Sequence, residues 1–203
     1  MSFYSERVLP RLVHLSMRQT TFEPYRRRVT AQARGRVLEI GVGSGLNLPL
    51  YPAATHVVGL DPSAKSLSMA RAAAGGLGRS IELVEGVAEA IPLPDHSVDT
   101  VVSTWTMCSI PDLSRALGEM RRVLTPEGRL LFVEHGRSSD QGVVRWQDRL
   151  TPLWRRIGGG CHLNRPIAQL IQDAGFRVER LETGYMEGPR PMTFMYEGSA
   201  RLR

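Results

Sequence analysis

Val37-Leu38-Glu39-Ile40-Gly41-Val42-Gly43-Ser44-Gly45 is the stretch on which the reading of this chain turns. Val37 to Ile40 has the character of a buried strand, and it runs straight into glycines at 41, 43 and 45. A strand that turns into a helix this way brings its backbone against a ligand, because residues without Cβ permit left-handed conformations and close approach. The spacing is G-x-G-x-G. The dinucleotide fingerprint G-x-G-x-x-G requires glycine at 46, where Leu46 stands. Glu39 adds negative charge beside a helix N-terminus that would ordinarily receive phosphate. That disfavours a pyrophosphate and suits a ligand with an ammonium group. Asp61 ends the next apolar run, where its two oxygens can accept both hydroxyls of a ribose. Taken alone, it would serve equally well as a helix cap.

Outward from this stretch, strands alternate with helices. His56 to Asp61 is a second strand, and Pro62-Ser63 opens a helix that runs to Ala74 and is closed by Gly75-Gly76. Ile81 to Gly86 and the β-branched Val98 to Thr104 are strands three and four. Asp112 caps a helix whose apolar face is Leu113, Ala116, Leu117, Met120, Val123 and Leu124. Thr125-Pro126-Glu127-Gly128 ends that helix, and Arg129 to Val133 is a fifth strand. Residues 136–163 read as irregular, anchored by Trp146, Pro152 and Trp154 and carrying Gly158-Gly159-Gly160. Asn164 as cap, Pro166 near the first helical position and Gly175 beyond the end frame another helix. Arg177 to Thr183 and Met192 to Glu197 close the chain as strands, joined too briefly for a crossover and therefore antiparallel. Ahead of all this, residues 6–18 carry Leu9, Leu12, Val13 and Met17 at helical spacing. The expected fold is a single α/β domain with a seven-stranded, mostly parallel sheet and a terminal antiparallel hairpin. Its parts are a helical cap at 1–35, a ligand-binding core at 36–135, a lid-like insertion at 136–165, and a closing helix and hairpin at 166–203.

A chain of 203 residues can bury one core without disulfides, and 42% hydrophobic with 23% charged residues is ordinary for a globular protein. The net charge of +6 is compatible with anionic partners. Arg26-Arg27-Arg28 and Arg155-Arg156 have no aromatic interleaving and no accompanying nucleic-acid motif, so nucleic acid is not expected. Peripheral contact with an anionic membrane stays open. The two cysteines, Cys108 and Cys161, lie far apart in the sequence and form no disulfide framework, which points to the cytoplasm. Charges interrupt the first thirty residues, leaving no signal-peptide core, and no apolar run is long enough to span a bilayer. A monomer and a homodimer both fit.

These features resemble the class I S-adenosylmethionine (SAM)-dependent methyltransferases, whose sheet is Rossmann-like, and the resemblance covers nearly the whole chain. Val37 to Gly45 resembles the family's first signature and Asp61 its ribose acid. Gly86-Val87-Ala88-Glu89-Ala90 with Ile91-Pro92-Leu93 resembles the loop that flanks the adenine. Val87 stands where many relatives carry aspartate, which leaves the Ala88 backbone and the Glu89 side chain as adenine contacts. The resemblance implies SAM as cofactor, held by Glu39, Gly41, Gly43, Gly45, Asn47, Asp61, Pro62, Ala88, Glu89 and Thr104. A narrower resemblance rests on Cys108-Ser109, Glu134-His135, Trp146-Gln147, Pro152, Trp154 and Gly160 to Arg165. It is to the alkyl-thiol S-methyltransferases of the methyltransferase-like protein 7 group, and it implies a small-molecule acceptor, a thiol. Short bacterial phospholipid N-methyltransferases are also similar. Phospholipid or amine N-methylation, and non-catalytic SAM binding, are therefore the alternatives.

Methyl transfer from a sulfonium is an in-line displacement, for which orientation alone contributes roughly 7–11 kcal/mol. A thiol acceptor must also lose its proton, from a pKa of about 8.5. His135, preceded by Glu134, is the candidate base, against a histidine that merely packs or caps. Trp105, Cys108, Glu134, Trp154 and Arg165 are candidates for the substrate pocket, although Trp105 suits the core equally and Cys108 suits a structural thiol. Cys161-His162 offers two adjacent donors without a partner pair, so no metal site is expected. His14 and His96 suggest no role. The 136–165 segment is expected to act as a lid over the acceptor, helped by the 6–18 helix and hinged at the triple glycine.

Overall fold

The structure is a computed structural model that describes residues 8–78 and 81–203. One sheet is built from β1 (Arg36–Ile40), β2 (His56–Asp61), β3 (Ile81–Glu85), β4 (Val98–Thr104), β5 (Leu124–His135), β6 (Phe176–Tyr185) and β7 (Phe194–Leu202). The helices are α1 (Leu9–Met17), α2 (Glu23–Thr30), α3 (Ala64–Ala74), α4 (Leu113–Val123), α5 (Gln141–Ile157), α6 (Ile167–Asp173) and α7 (Arg190–Thr193). The strand order is β3-β2-β1-β4-β5-β7-β6. The first five strands are parallel, and β7 runs antiparallel to both β5 and β6. The order reverses between β1 and β4, and a sheet of this kind binds ligands beyond the carboxyl ends of its strands at such a point.

Strand alternation sorts the core into two layers. Leu38, Ile40, Val58, Leu60, Val101, Leu130 and Phe132 pack on one face with Leu117 and Met120 of α4 and Ile167 and Ile171 of α6. Val37, Val57, Val102, Leu131 and Val133 pack on the other with Val29 of α2 and with Leu67 and Ala70 of α3. Two of the expected caps are in place. Ser63 Oγ accepts from the Ser66 N–H at 3.2 Å, and the Asp112 carboxylate accepts from the Arg115 N–H at 3.0 Å.

Several elements differ from the sequence reading. No α-helix follows the glycine loop, only a 3-10 turn at Leu48–Leu50, because Pro49 and Pro52 remove the donors that a longer helix needs. The phosphate-receiving helix end invoked above is therefore not there. Residues 136–163 are not irregular, since α5 occupies most of them, with Pro152 inside it and the Asp140 carboxylate accepting from Gly142 and Val143 N–H at its start. Its buried stripe, Val143, Val144, Gln147 and Thr151, is half polar, while Trp146 and Leu153 point outward, so its apolar residues do not all lie on the buried side, and Pro152 interrupts the helical reading. Asn164 is not a cap, for its side chain donates to Asp148 Oδ1 at 2.7 Å and α6 begins only after Pro166. β5 starts at Leu124, with Val98 opposite Leu124 and Thr100 opposite Arg129, so the Thr125 to Gly128 turn is absorbed as an irregularity in the strand. Met192 belongs to α7, and β7 continues to Leu202. The amphipathic stretch forms α1, while residues 6 and 7 of it lie outside the described residues.

Gln147 ties α5 to the sheet. Its Oε1 accepts from the Ser138 N–H at 2.9 Å, and its Nε2 donates to the carbonyls of Gly136 and Pro191 at 2.9 and 3.1 Å. Gln147→Leu keeps the volume and leaves these buried backbone groups without that partner. Urea unfolding should show a loss of roughly 2–4 kcal/mol, with SAM affinity in the folded protein nearly unchanged.

Candidate active site

Beyond the carboxyl ends of β1, β2 and β4 lies a cavity of about 560 Å³, within the roughly 300–1,000 Å³ typical of small-molecule sites. Its floor is the glycine loop, whose N–H groups at Gly41 and Val42 both donate to the Leu60 carbonyl, at 2.8 and 3.0 Å. Gly41, Gly43 and Gly45 have φ of +66°, +55° and +81°. A Cβ at Gly41 would come within 2.5 Å of the Thr106 side chain, whereas one at Gly43 would meet nothing closer than 3.9 Å. Gly41 is thus needed for packing, and Gly43 leaves space for a ligand.

Asp61 is held by the backbone on both sides. Its Oδ2 accepts from the Gly43 N–H and its Oδ1 from the Ser63 N–H, each at 2.9 Å. Burial pushes its pKa up, and those two donors oppose the shift. Each oxygen retains a lone pair for a further donor.

Glu39 shares a face with Val37 and lies fully buried under the loop. Asn47 Nδ2 donates to Glu39 Oε1 at 2.7 Å and to Thr104 Oγ1 at 3.0 Å, and the Tyr51 hydroxyl donates to Glu39 Oε2 at 3.0 Å. Arg26 Nη1 completes the chain by donating to Asn47 Oδ1 at 2.8 Å. Burial pushes Glu39 up to about 7, although Asn47, Tyr51 and Arg26 all draw it down. The Arg26 guanidinium also stacks 4.9 Å over the ring of Trp105, which Phe22 and Tyr25 hold edge-on.

The cavity is roofed by α1 through Leu9, Pro10, Val13, His14 and Met17, and His14 Nδ1 stands 2.5 Å from Ser44 Oγ of the glycine loop. The 136–165 segment contributes only Gly158 and Gly159 to the lining, with Leu9 packed over Gly159. This reverses the expected roles, since the N-terminal helix is the principal cover. The cause is that α5 buries its own stripe, and Trp154 turns into a cluster with Cys108, Cys161 and Leu163.

Of the residues expected at the site, Glu39, Gly41, Gly43, Asp61, Pro62, Ala88, Glu89, Thr104 and Trp105 line the cavity. Gly45 and Asn47 stand one layer behind, Gly45 against Leu48 and Ala70. Cys108, Glu134, His135, Trp154 and Arg165 do not line it. Glu134 is a buried clamp, accepting from Ser103 Oγ at 2.7 Å and from the N–H groups of Thr106 and Met107 at 3.1 Å. Burial, and then Cys108, pushes it up to about 8. Arg165 donates to the carbonyls of Met107 and Ile110 and so pins the same turn. His135 Nε2 lies 3.0 Å from Cys161 Sγ. The two cysteines, remote in sequence, meet beside this histidine. Arg26, Tyr51 and His14 were missed. Arg26 read as one of three surface arginines, but with Val29 and Thr30 it forms the buried stripe of α2, a spacing visible in the sequence.

The methyltransferase-domain family matches residues 38–132. The chain belongs to the class I SAM-dependent methyltransferases, and SAM is its cofactor. It is 37% identical over 151 residues to the thiol S-methyltransferase TMT1B of Rattus norvegicus, across 72% of this chain and 62% of that protein, so it spans less than two thirds of the rat enzyme. It is 38% identical over 178 residues to the phosphatidylethanolamine N-methyltransferase of Cereibacter sphaeroides, across 85% of this chain and 86% of that one. A SAM-dependent methyltransferase from Aquifex aeolicus shares the fold at a TM-score of 0.67 and 17% identity, over 96% of this chain and 98% of that one.

The Glu39 environment has a consequence for stability. Its folded pKa lies above the ordinary 4.5, so between pH 4.5 and about 7 the folded chain keeps a proton that the unfolded chain releases. Its contribution to stability is therefore full below that window and is lost as pH rises through it, by on the order of 3 kcal/mol. Glu39→Gln should remove this slope. Unfolding free energies of ligand-free wild type and variant, measured from pH 5 to 8, check it.

Proposed function

We propose that this chain transfers the methyl group of SAM to the sulfur of a small apolar thiol. The observation that supports this best is the make-up of the cavity. Its lining joins the charged Glu39, Arg26 and Asp61 to the apolar Leu9, Pro10, Val13, Trp105, Ile110 and Pro111. The likeness to thiol S-methyltransferase TMT1B points the same way.

Asp61 receives the ribose hydroxyls on the lone pairs that Gly43 and Ser63 leave free. Glu39 faces the ammonium, and Arg26 is the cation available to a carboxylate. The Ala88 backbone and Glu89 flank the adenine, and Glu89 Oε1 is oriented by the Asp112 N–H at 3.2 Å. Pro62 and Thr104 complete that wall, while Gly45 and Asn47 act from behind. SAM, when bound, supplies an electrophilic methyl on a positively charged sulfur, which a thiolate displaces in line. The protein's work is orientation and the exclusion of water, performed by Trp105 and the α1 roof. A base is needed for the thiol proton. His135 is away from the cavity, and His14 takes its place as candidate: burial, and then Arg18, lower its pKa, so it is neutral at physiological pH. In the tautomer that donates Nδ1–H to Ser44, its Nε2 is free to accept the proton.

A phospholipid amine is the second reading, favoured by the likeness to the Cereibacter sphaeroides enzyme and by Leu12 and Leu15 of α1, which are 50% and 68% exposed. Labelled SAM with alkyl thiols, amines and phosphatidylethanolamine vesicles separates the two. Thiol transfer should dominate, with a rate that rises with pH until the thiolate is formed, and His14→Gln should blunt the rise near neutrality. Transfer to phosphatidylethanolamine without thiol activity would reverse the ranking.

Two binding experiments test the charged residues. Asp61→Ala loses two charge-assisted hydrogen bonds of roughly 1.5–3 kcal/mol each, so the SAM Kd should rise at least about a hundredfold by calorimetry. An ammonium beside Glu39 favours its carboxylate, so SAM binding between pH 6 and 7 should release protons to the buffer. Glu39→Gln should weaken binding and abolish that release.

A further inference from the structure

Outside the cavity, three soft donors converge that the methyl-transfer site does not use. Cys108 lies in the turn after β4, His135 is the last residue of β5, and Cys161 follows α5. All their ligating atoms fall within 4.8 Å of one another, and His135 Nε2 is 3.0 Å from Cys161 Sγ. Both thiols are free and buried. His135 is incompletely satisfied, because its Nδ1 is buried with no partner among the described residues.

We propose that Cys108, His135 and Cys161 form a binding site for a soft, thiolate-preferring metal ion of the zinc class. Zn–S bonds of about 2.3 Å and Zn–N bonds of about 2.0 Å place tetrahedral donors roughly 3.5–3.8 Å apart. The observed cluster reaches that geometry by side-chain adjustment of about an ångström. Two sulfurs and an imidazole select zinc-like or cuprous ions over magnesium or calcium, which take oxygen donors. Two thiolates and a neutral imidazole balance a divalent charge. That balance matters in a pocket walled by Leu150, Trp154, Leu163 and Met192.

The backbone around the donors is held independently of them. Glu134 accepts from the Thr106 and Met107 N–H groups, Arg165 donates to the Met107 and Ile110 carbonyls, and the His162 N–H donates to the Cys108 carbonyl at 2.8 Å. The loops carrying the two cysteines are therefore clamped together before any ion binds. Ser109 Oγ, 3.5 Å from Cys108 Sγ, offers an oxygen at the same corner, and the protein provides three donors with a fourth position left for water. Displacement at a methyl carbon needs no Lewis acid, so the ion's work is structural. It fastens the 105–111 turn, which walls the cavity, to the chain after α5.

The test uses the full-length protein, reduced with a phosphine, stripped by a chelator and then titrated with Co2+ alone. One equivalent should bind, with near-ultraviolet charge-transfer absorption of a strength that reports two thiolates. Two protons should be released as the thiols ionise. Stoichiometric Zn2+ should displace the Co2+ and raise the unfolding midpoint. Cys108→Ser and Cys161→Ser should each weaken Co2+ binding by at least roughly 100-fold. If neither variant folds, the wild-type titration decides. Folded wild type with both thiols reduced that shows no charge-transfer band at excess Co2+ overturns the proposal. So does a band that survives in both serine variants, or thiols lost on mild oxidation with no metal uptake beforehand.

Discussion

Glu39 is fully buried in the interior of the sheet, in a strand paired on both sides. A carboxyl group there costs several kcal/mol unless partners are provided, and much of the site consists of those partners. Asn47 and Tyr51 reach it from the 3-10 turn after the glycine loop, Thr104 is joined to it through Asn47, and Arg26 arrives from α2. The network thereby fixes the loop, the end of β4 and the N-terminal helices around one point. Even so, its pKa remains near 7, because burial outweighs what Asn47, Tyr51 and Arg26 supply.

The glycine turn makes this arrangement possible. With three positive φ angles in five residues, the chain folds back so that Gly41 and Val42 share the Leu60 carbonyl while the Gly43 N–H is left for Asp61. β1 and β2 are thus joined at their carboxyl ends by hydrogen bonds outside the regular ladder, and the Asp61 carboxylate is held with lone pairs toward the cavity. Beside the loop, the Glu134 and Arg165 clamps hold the 105–111 turn in the same way. Trp105 sits at φ +51° there, in a region costly for a bulky residue, with stacking on Arg26 and edge contacts from Phe22 and Tyr25 to hold it.

The roof is the loosest part. α1 buries none of its residues, and Leu12 and Leu15 remain exposed. It is attached through the His14 to Ser44 hydrogen bond and the Leu9 contact with Gly159. An element with so little buried area opens at low cost, which suits a cover that must admit both a cofactor and an acceptor. α5, by contrast, is locked by Gln147 to three backbone groups and cannot swing as a lid without breaking them.

The local parts of this protein were legible because neighbouring residues encode them. Alternation marked β1, β2 and β4, Ser63 and Asp112 marked helix starts, and the G-x-G-x-G spacing with Asp61 marked residues that line the cavity. The helix α5 escaped because Pro152 stands inside it, where a proline normally ends a helix, and because its buried stripe is half polar. The sequence by itself therefore determined the sheet with its closing antiparallel hairpin, and the glycine loop and Asp61 that line the cavity. Only the tertiary structure decided that α1 is the cover, that Arg26 reaches Asn47 from 21 residues away, and that Cys161 meets His135 across 26. Those contacts depend on where helices settle after their apolar faces are buried, which no spacing along the chain specifies.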